Sequence, residues 1–405
     1  MDQFKRAIFT SIWFMFLTFP IMVVRVNTIE KIVQWRFMNM LYVGVGAFIF
    51  SYVWRYLLSK RQVGPQQEEG GTEAKAGFLH RLATDRRVYV PVLAGILVAA
   101  ACFPMVGTMY QVNIMITALI YVVLALGLNI VVGLSGLLVL GYAAFYAVGA
   151  YTYALLNHHF GLGFWTVLPI GAGMGALFGI LLGTPVLRLR GDYLAIVTLG
   201  FGEIVRLVLE NWGVVTQGPS GISGISRPSL FGFKLSVSDS TVYMYYIMIG
   251  LVLVTIFVVN RLKNSRIGRA WMALREDEIA CQAMGIDKTK TKLTAFALGA
   301  AWAGLMGVVF AGKTVFVNPA SFTFLESAMI LAMVVLGGMG SIVGVILGAL
   351  VLILLPEFLR DFALYRMLIF GAAMVVVMVL RPQGLVSGQR QKYRFKVKEA
   401  VAAHE

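Results

Sequence analysis

The sequence predicts an all-α, polytopic integral membrane protein with about ten to twelve transmembrane helices. Of the 405 residues, 59% are hydrophobic and only 13% are charged, whereas soluble proteins carry about 25% charged residues. The apolar runs are long and continuous. Backbone inside a bilayer must form its hydrogen bonds within its own segment, which favours helices. A β-barrel is not expected, because it would show alternating segments of about ten residues.

The formal net charge of +15 would suggest nucleic acid as a partner in a soluble protein. Here the positive residues cluster beside apolar runs, as cytoplasmic loops of membrane proteins do, so no nucleic-acid partner is predicted. The two cysteines form no metal or disulfide pattern. No nucleophile–base pair, H-E-x-x-H sequence or paired carboxylates stand out, so we predict no catalytic, metal or cofactor site and no enzyme activity.

The first 58 residues are interpreted as an N-terminal pair of membrane spans, near 7–24 and 37–57. The first span resembles a signal peptide, but no small-x-small cleavage site precedes Arg25, so we interpret it as an uncleaved anchor. Residues 59–87 include GPQQEEGGTEAKAG and cannot bury a core. They are predicted to form a flexible cytoplasmic linker.

A membrane core is predicted for residues 88–385, since its apolar runs approach the roughly 20 residues that cross a bilayer as a helix. The segment 326–355 is too long for one crossing and is interrupted by GGMGS, so it crosses once, crosses twice or re-enters the membrane. The predicted spans lie near 88–109, 112–132, 136–156, 164–186, 193–210, 242–261, 291–311, 326–355 and 364–380.

The distribution of Lys and Arg predicts the orientation of the spans. With Lys5 and Arg6 inside, alternation places 59–87, 187–192 and 262–290 inside as well, and both termini are cytoplasmic. The basic tail, 386–405, is expected near anionic lipid. The outer loop, 211–241, is dense in Gly, Ser and Pro. It is either a plain loop or a contact for a delivery protein at the mouth of the pathway.

Glycines recur every four residues in two places and predict close helix packing. The first ridge holds Gly171, Gly175, Gly179 and Gly183, and the second holds Gly340, Gly344 and Gly348. Residues 307–314, GVVFAGKT, match the Walker A pattern. A phosphate loop needs a buried strand before it, whereas this match ends an apolar helix. We therefore interpret it as a chance match.

Three polar residues inside spans are candidates for a gate or a translocation pathway. Placing the acidic side chain of Glu203 within a membrane costs free energy, so it should face water or a partner. Arg206 lies three residues further along the same helical face, so the two form a structural pair or belong to a gate. Asn129 is expected to hydrogen-bond between helices.

The connection 268–287, GRAWMALREDEIACQAMGID, is the most informative stretch of the core. It is rich in helix formers and is longer than a hairpin between spans requires. Gly285 is placed to end a helix, and Asp287 to begin the next one. It is either a solvated loop or a short charged helix, 269–284, that a cytoplasmic partner presses on. Arg188, Arg190 and Asp192 form either an ordinary anchor or a second contact for such a partner.

Several long sequence blocks resemble those of one family, and they occur in the same order along the chain. They are GLNIVVGLSGLLVLGYAAFYAVGAY, VLRLRGDYLAIVTLGFGEIVR, GRAWMALREDEIACQAMGI, VVLGGMGS and RPQGL. With these blocks the chain resembles the LivM-type permease subunits of bacterial high-affinity branched-chain amino acid ABC importers, over about 88–385. Family members commonly have a glycine at the position of Gln217.

The resemblance implies an ABC-importer permease of the bacterial inner membrane that carries leucine, isoleucine or valine. The implied partners are a second permease of the LivH type, two cytoplasmic ATPase subunits of the LivG and LivF types that bind ATP and Mg, and a periplasmic amino-acid-binding protein. Related importers carry urea, amides or other amino acids, and an ion-coupled secondary transporter is a further alternative. The implied coupling residues are Gly268, Arg269, Ala273, Arg275, Glu276, Asp277, Glu278, Ala280 and Gly285.

Overall fold

The chain divides into two compact units, residues 1–89 and 90–405. The computed structural model describes residues 98–186, 191–229, 236–360 and 384–386 without a break, together with two short strands and scattered positions elsewhere. In the first unit, β1 (Val24–Asn27) pairs antiparallel with β2 (Ile32–Trp35). This hairpin lies at the end of the first predicted span. The predicted linker 59–87 lies outside the described residues, as does nearly all of the basic tail.

The described part of the second unit is helical apart from two short strands. A segment of π-helix, Asn129–Leu134, continues α1, and β3 (Ile222–Ser223) pairs with β4 (Phe316–Val317). The helices are α1 (Met109–Leu128), α2 (Tyr142–Phe160), α3 (Phe164–Val186), α4 (Asp192–Asn211), α5 (Gly213–Thr216), α6 (Val237–Lys263), α7 (Arg266–Glu276), α8 (Glu278–Ala283), α9 (Lys288–Thr314), α10 (Phe324–Gly337) and α11 (Ile342–Phe358).

Five helical segments in the described residues are long and apolar enough to cross a membrane, which agrees with a polytopic helical protein. They are 109–134, 164–186, 237–263, 288–314 and 319–337. The prediction for α3 matches at both ends. α2 begins at Tyr142 rather than at 136, because Gly136 adopts φ +73° and ends the preceding helix.

The first glycine ridge packs α3 against α9. A Cβ added at Gly175 would lie 2.4 Å from the carbonyl oxygen of Ala300, and one added at Gly304 would lie 2.3 Å from that of Gly171. Any larger residue would therefore meet backbone and not a movable side chain. The Walker-like segment lies within α9, where Gly307 packs against Tyr146, so it does not form a phosphate loop.

The long segment 326–355 forms two helices, α10 and α11, so a single continuous span is wrong. The chain breaks between them at residues 338–341, where Gly338 and Gly340 adopt φ +111° and +83°. At about 1.5 Å per residue, the two helices are about 21 and 25 Å long. Gly340 lies in the break and not on a helical ridge; Gly344 and Gly348 do pack closely, on Gly337.

The two longest helices, α6 and α9, define two ends of the second unit. We call the end that carries residues 264–287 and the 338–341 break the loop end, and the end that carries 213–229 and 315–323 the far end. The amide of Leu385 donates to the carbonyl of Leu336 at 2.8 Å, so the described residues 384–386 also lie at the loop end.

Candidate functional site

The 264–287 connection is a folded unit, because each of its helices is capped. The hydroxyl of Ser265 accepts from the amide of Gly268 at 3.1 Å and starts α7. The carboxylate of Asp277 accepts from the amides of Ile279 and Ala280 at 2.7 and 3.0 Å and starts α8. Gly285 then adopts φ +82°, as expected for a helix end. The connection is therefore helical, and its contact with a cytoplasmic partner stays a prediction.

The predicted single helix over 269–284 is wrong, because the chain breaks at Asp277. This residue has φ −153° and ψ 114°, an extended conformation outside the helical region. Its short carboxylate bonds the amides of the following turn, which a helix-interior position does not allow. The same bonds lower the pKa of the Asp277 carboxyl. Hydrogen bonds from the backbone amides of Lys290 and Thr289 likewise lower the pKa of the Asp287 carboxyl. Asp287 caps α9, as the sequence predicts.

Three side chains fix α7 and α8 to the membrane helices. Trp271 is fully buried in a cluster with Ile130 and Leu134 of the π-helix. Its indole nitrogen donates to the carbonyl of Thr291 at 2.9 Å. Lys292, 2% exposed, forms an ion pair with Glu278. These contacts connect α7 and α8 with α9 and with the π-helix that continues α1.

A second set of contacts, which we call the Gly340 cluster, joins four segments at the loop end. It consists of Asn129, Gly133, Lys263, Arg275 and Gly340. The Arg275 guanidinium donates to the carbonyl of Gly133 at 2.6 Å, and the Lys263 ammonium donates to that of Gly340 at 2.9 Å. The Asn129 side-chain oxygen accepts from the amide of Gly340 at 2.8 Å. The cluster therefore ties α6, α7, the π-helix and the 338–341 break together.

The Asn129 amide nitrogen is buried and has no hydrogen-bond partner among the described residues. Leaving a buried donor unpaired costs about 1–3 kcal/mol. Segments of π-helix occur frequently at functional sites. The Gly340 cluster thus combines an irregular helix, an unpaired amide and a helix break at one place.

The surface of α8 that remains accessible is apolar with charged neighbours. Ile279 is 71% exposed and Met284 is 83% exposed, and Arg269, Glu276 and Asp277 are exposed beside them. An exposed apolar patch with a polar rim is typical of a protein interface. Of the other predicted coupling residues, Ala280 and Gly285 lie on this surface and Ala273 is half-buried. Gly268 is buried, where a Cβ would lie 2.1 Å from the carbonyl oxygen of Leu262.

The three residues predicted for a gate lie in two places. Arg206 pairs with Glu203 and with Glu210, each at 2.8 Å, so the predicted pair is present. Glu203 also lines a small cavity of about 10 Å³, roughly the space of one water molecule, between α2, α4 and the residues preceding α10. Both readings of Glu203 are therefore compatible with the structure. Asn129 belongs to the Gly340 cluster instead.

The predicted second cytoplasmic contact is only partly visible. Arg188 and Arg190 lie outside the described residues, as does the side chain of Asp192, although α4 begins at Asp192. Among the described residues, no group of three or more His, Cys, Asp or Glu side chains can hold a metal ion.

Sequence reasoning missed several residues that build the site. Lys263 looks like an ordinary cytoplasmic anchor, and nothing in the sequence connects Lys292 with Glu278. Trp271 did carry a signal, because Gly268, Trp271 and Leu274 recur every three residues and form the buried face of α7. That spacing is typical of a helix docked on a core.

Comparison with known proteins identifies relatives over most of the chain. A family model described as branched-chain amino acid transport system, permease component, matches residues 110–378. The high-affinity branched-chain amino acid transport system permease protein LivM of Escherichia coli K12 is 52% identical over 324 residues, which is 75% of this chain and 76% of that protein. LivM of Salmonella typhimurium LT2 is 51% identical over 328 residues, 76% of this chain and 77% of that protein.

A second type of permease is also similar. The high-affinity branched-chain amino acid transport system permease protein LivH of Escherichia coli K12 is 24% identical over 290 residues, which is 66% of this chain and 91% of that protein. No solved structure matches the chain.

Proposed function

The chain belongs to the family of branched-chain amino acid transport permease components, and we propose that it is the LivM-type permease subunit of an ATP-driven importer for leucine, isoleucine and valine. The observation that carries this proposal is the 52% identity to a LivM protein over three quarters of the chain. The long apolar helices support a multi-pass protein, for which we propose the bacterial inner membrane.

The proposed assembly contains a second permease of the LivH type, and the similarity of this chain to LivH proteins supports such a pair. Two ATPase subunits of the LivG and LivF types bind ATP and Mg at the loop end, and a periplasmic binding protein delivers the amino acid. The loop end is thus cytoplasmic, as are both termini. For the chain as a whole, we propose about ten to twelve transmembrane helices.

The proposed mechanism uses the chain as a lever that is moved by its partner ATPases. An ATPase contacts the exposed surface of α8, including Ile279 and Met284, and the neighbouring charged residues. Movement of α7 and α8 reaches the π-helix through Trp271 and Arg275. Shifting a two-state equilibrium from 1:99 to 99:1 takes about 5.5 kcal/mol. A few hydrogen bonds from charged groups, each about 1.5–3 kcal/mol, are sufficient to transmit this difference.

Co-purification with transport measurements tests the proposal. The chain is co-expressed with its candidate partners, solubilised gently and reconstituted into sealed vesicles. We expect a second permease and two ATPases in the eluate, and leucine uptake that requires ATP and the binding protein. Vesicles that contain the chain without ATPases are the control and should not accumulate leucine. Accumulation by the chain alone, driven by a proton or sodium gradient, would contradict the proposal.

A further inference from the structure

A polar cavity lies at the far end, between the ends of α1, α6 and α9. It has a volume of about 90 Å³. A cavity needs about 10–15 Å³ on this measure to hold one water molecule, so there is room for a small polar group. The polar side chains that line the cavity are those of Asn113, Arg227, Ser240, Thr241 and Lys313.

Among the described residues, two cations and no acidic side chain line this cavity. Lys313 donates to the carbonyl of Asn113 at 3.3 Å and to the hydroxyl of Thr117. An ammonium group has three donors, so one remains available. Arg227 is exposed, and its guanidinium forms no ion pair with the part of the chain that the structure describes.

Ser240 adds a neutral donor to the cavity wall. The residue is 5% exposed, and its hydroxyl forms no hydrogen bond with another described residue. Ile116 and Met244 supply an apolar part of the wall. Lys313 and Arg227 place two positive charges in one cleft, and a cleft lined by one sign of charge attracts the opposite sign. With the Ser240 hydroxyl, they favour a ligand that accepts hydrogen bonds and carries negative charge.

We propose that this cavity binds an oxyanion, a carboxylate or a phosphate, between the Lys313 ammonium and the Arg227 guanidinium. Oxyanions accept charge-assisted hydrogen bonds from both groups, and the Ser240 hydroxyl is a further donor. Two sources can supply this chemistry: the carboxylate of an amino acid and the phosphate of a lipid headgroup. The site lies at the end remote from α7 and α8, so it does not depend on the proposed coupling.

Binding to the purified full-length chain tests the proposal. Thermal unfolding is measured with L-leucine, with L-leucinamide, which lacks the carboxylate, and with inorganic phosphate. Native mass spectrometry measures retention of phosphatidylglycerol. We expect at least one oxyanion to bind. Stabilisation by leucine but not by leucinamide assigns the site to an amino acid, whereas retention of phosphatidylglycerol assigns it to a lipid.

Variants show whether the binding occurs in this cavity. Arg227→Gln and Lys313→Gln should each weaken binding about tenfold or more, since each removes a hydrogen bond to a charged group. Arg227 is exposed, so its variant remains informative if the Lys313 variant fails to fold. Lys313→Arg keeps the charge and should retain binding. Arg360→Gln is the matched control, because Arg360 already pairs with Glu357 and with the hydroxyl of Tyr110.

The proposal is overturned if none of the oxyanions binds, or if binding is equally weakened in the Arg360 control. Its failure is distinguishable from failure of the transport assignment. ATP-driven leucine uptake can persist in a chain without this site, and phosphatidylglycerol can bind here in a chain that does not transport leucine.

Discussion

Lys263 and Arg275 donate to main-chain carbonyls at points where regular helical bonding is interrupted. Gly133 lies in the π-helix and Gly340 in the break between α10 and α11. Carbonyl groups at such places need partners from outside the helix, because an unpaired buried acceptor is costly. Charged donors suit them because they bond more strongly than neutral donors.

We expect Arg275→Met and Lys263→Met each to lower the free energy of unfolding by about 1.5–3 kcal/mol, the range for hydrogen bonds from charged groups. The double variant should lose less than the sum, since both residues act on the Gly340 cluster. Denaturant titration of all four proteins measures this coupling. Arg269→Met is the matched control, because in the described part of the chain the Arg269 guanidinium bonds the carbonyl of Asn264, at 3.0 Å, and not the Gly340 cluster. Strict additivity would mean that the two cations act independently.

Val315 and Gln217 adopt left-handed backbone conformations, with φ of 61° and 59°. This conformation costs an L-residue about 1–2 kcal/mol, and a β-branched side chain is the least suited to it. Gln217 thus occupies a backbone conformation that glycine adopts without strain.

We expect Val315→Gly to raise the free energy of unfolding by about 1 kcal/mol, because glycine removes the strain. Gln217→Gly should show a smaller gain, and thermal unfolding measures both. Gly161→Ala provides the opposite change: Gly161 has φ +65°, and a Cβ there would meet nothing within 4 Å. A loss of stability in that variant reports backbone strain alone. A destabilised Val315→Gly protein would show that packing of the valine outweighs the strain.

α8 has only six residues, Glu278–Ala283, and Asp277 caps its start. The pKa of the Asp277 carboxyl is lowered by the amides it caps. The cap therefore contributes fully above the unfolded-state pKa of about 3.9, and its contribution is lost as the pH falls through the lowered folded-state value.

We expect the amides of Ile279 and Ala280 to stay protected in wild type from neutral pH down to about pH 4 and to lose protection below it. Hydrogen exchange read by mass spectrometry, corrected for intrinsic rates, measures this. Asp277→Asn keeps an acceptor that does not titrate and should show no such transition, whereas Asp277→Ala should be unprotected at every pH. A transition that persists in the Asn variant would assign it to another group.

The contact between α3 and α9 depends on glycine at Gly304. Its Cβ position is occupied by the backbone of Gly171 and Gly175, at 2.3 and 3.0 Å. Close approach of helices is a main source of stability inside a bilayer, where helix surfaces and lipid tails are equally apolar.

We expect Gly304→Ala to lower the free energy of unfolding by about 1–3 kcal/mol, the usual range for overpacking. Gly173→Ala is the control, since Gly173 lies on α3 and its Cβ would meet nothing within 4 Å. That variant should be neutral or more stable by about 0.5–1 kcal/mol, because alanine favours the helix. Unfolding in mixed micelles measures both, and equal losses would show that the ridge is not the tight contact.

For the chain as a whole, the proposed mechanism predicts that a variant can lose the coupling between ATP hydrolysis and transport and still fold. We expect Glu276→Lys to reduce ATP-driven leucine uptake about tenfold, since reversing one charge at an interface removes a contact worth about 1.5–3 kcal/mol. Thermal stability should change little. Lys290→Glu is the matched charge reversal. The Lys290 side chain is 85% exposed and follows α8 along the chain, so this variant should keep normal uptake. Normal uptake with normal stimulation of ATP hydrolysis in Glu276→Lys would contradict the coupling assignment.

Much of the fold could be read from local sequence. α3 was predicted at both ends, and Asp287 and Gly285 were predicted as a helix start and a helix end, because capping and glycine conformations depend on a few neighbouring residues. The break at Asp277 was missed. The composition of 268–287 favours helix throughout, and the competing side-chain bonds of Asp277 outweighed that preference.

Membrane insertion and family membership therefore follow from the order of residues along the chain, because the transfer of a segment into lipid depends mainly on its own side chains. The Gly340 cluster does not follow from it. Its hydrogen bonds join residues 77, 142 and 211 positions apart. In sequence, Lys263 looks like an anchor, Arg275 belongs to the predicted coupling segment, and Asn129 is expected to bond between helices, but none of these predictions points to Gly340. Helix packing brings them to one helix break, and a contact between distant segments exists only when all of them are folded together.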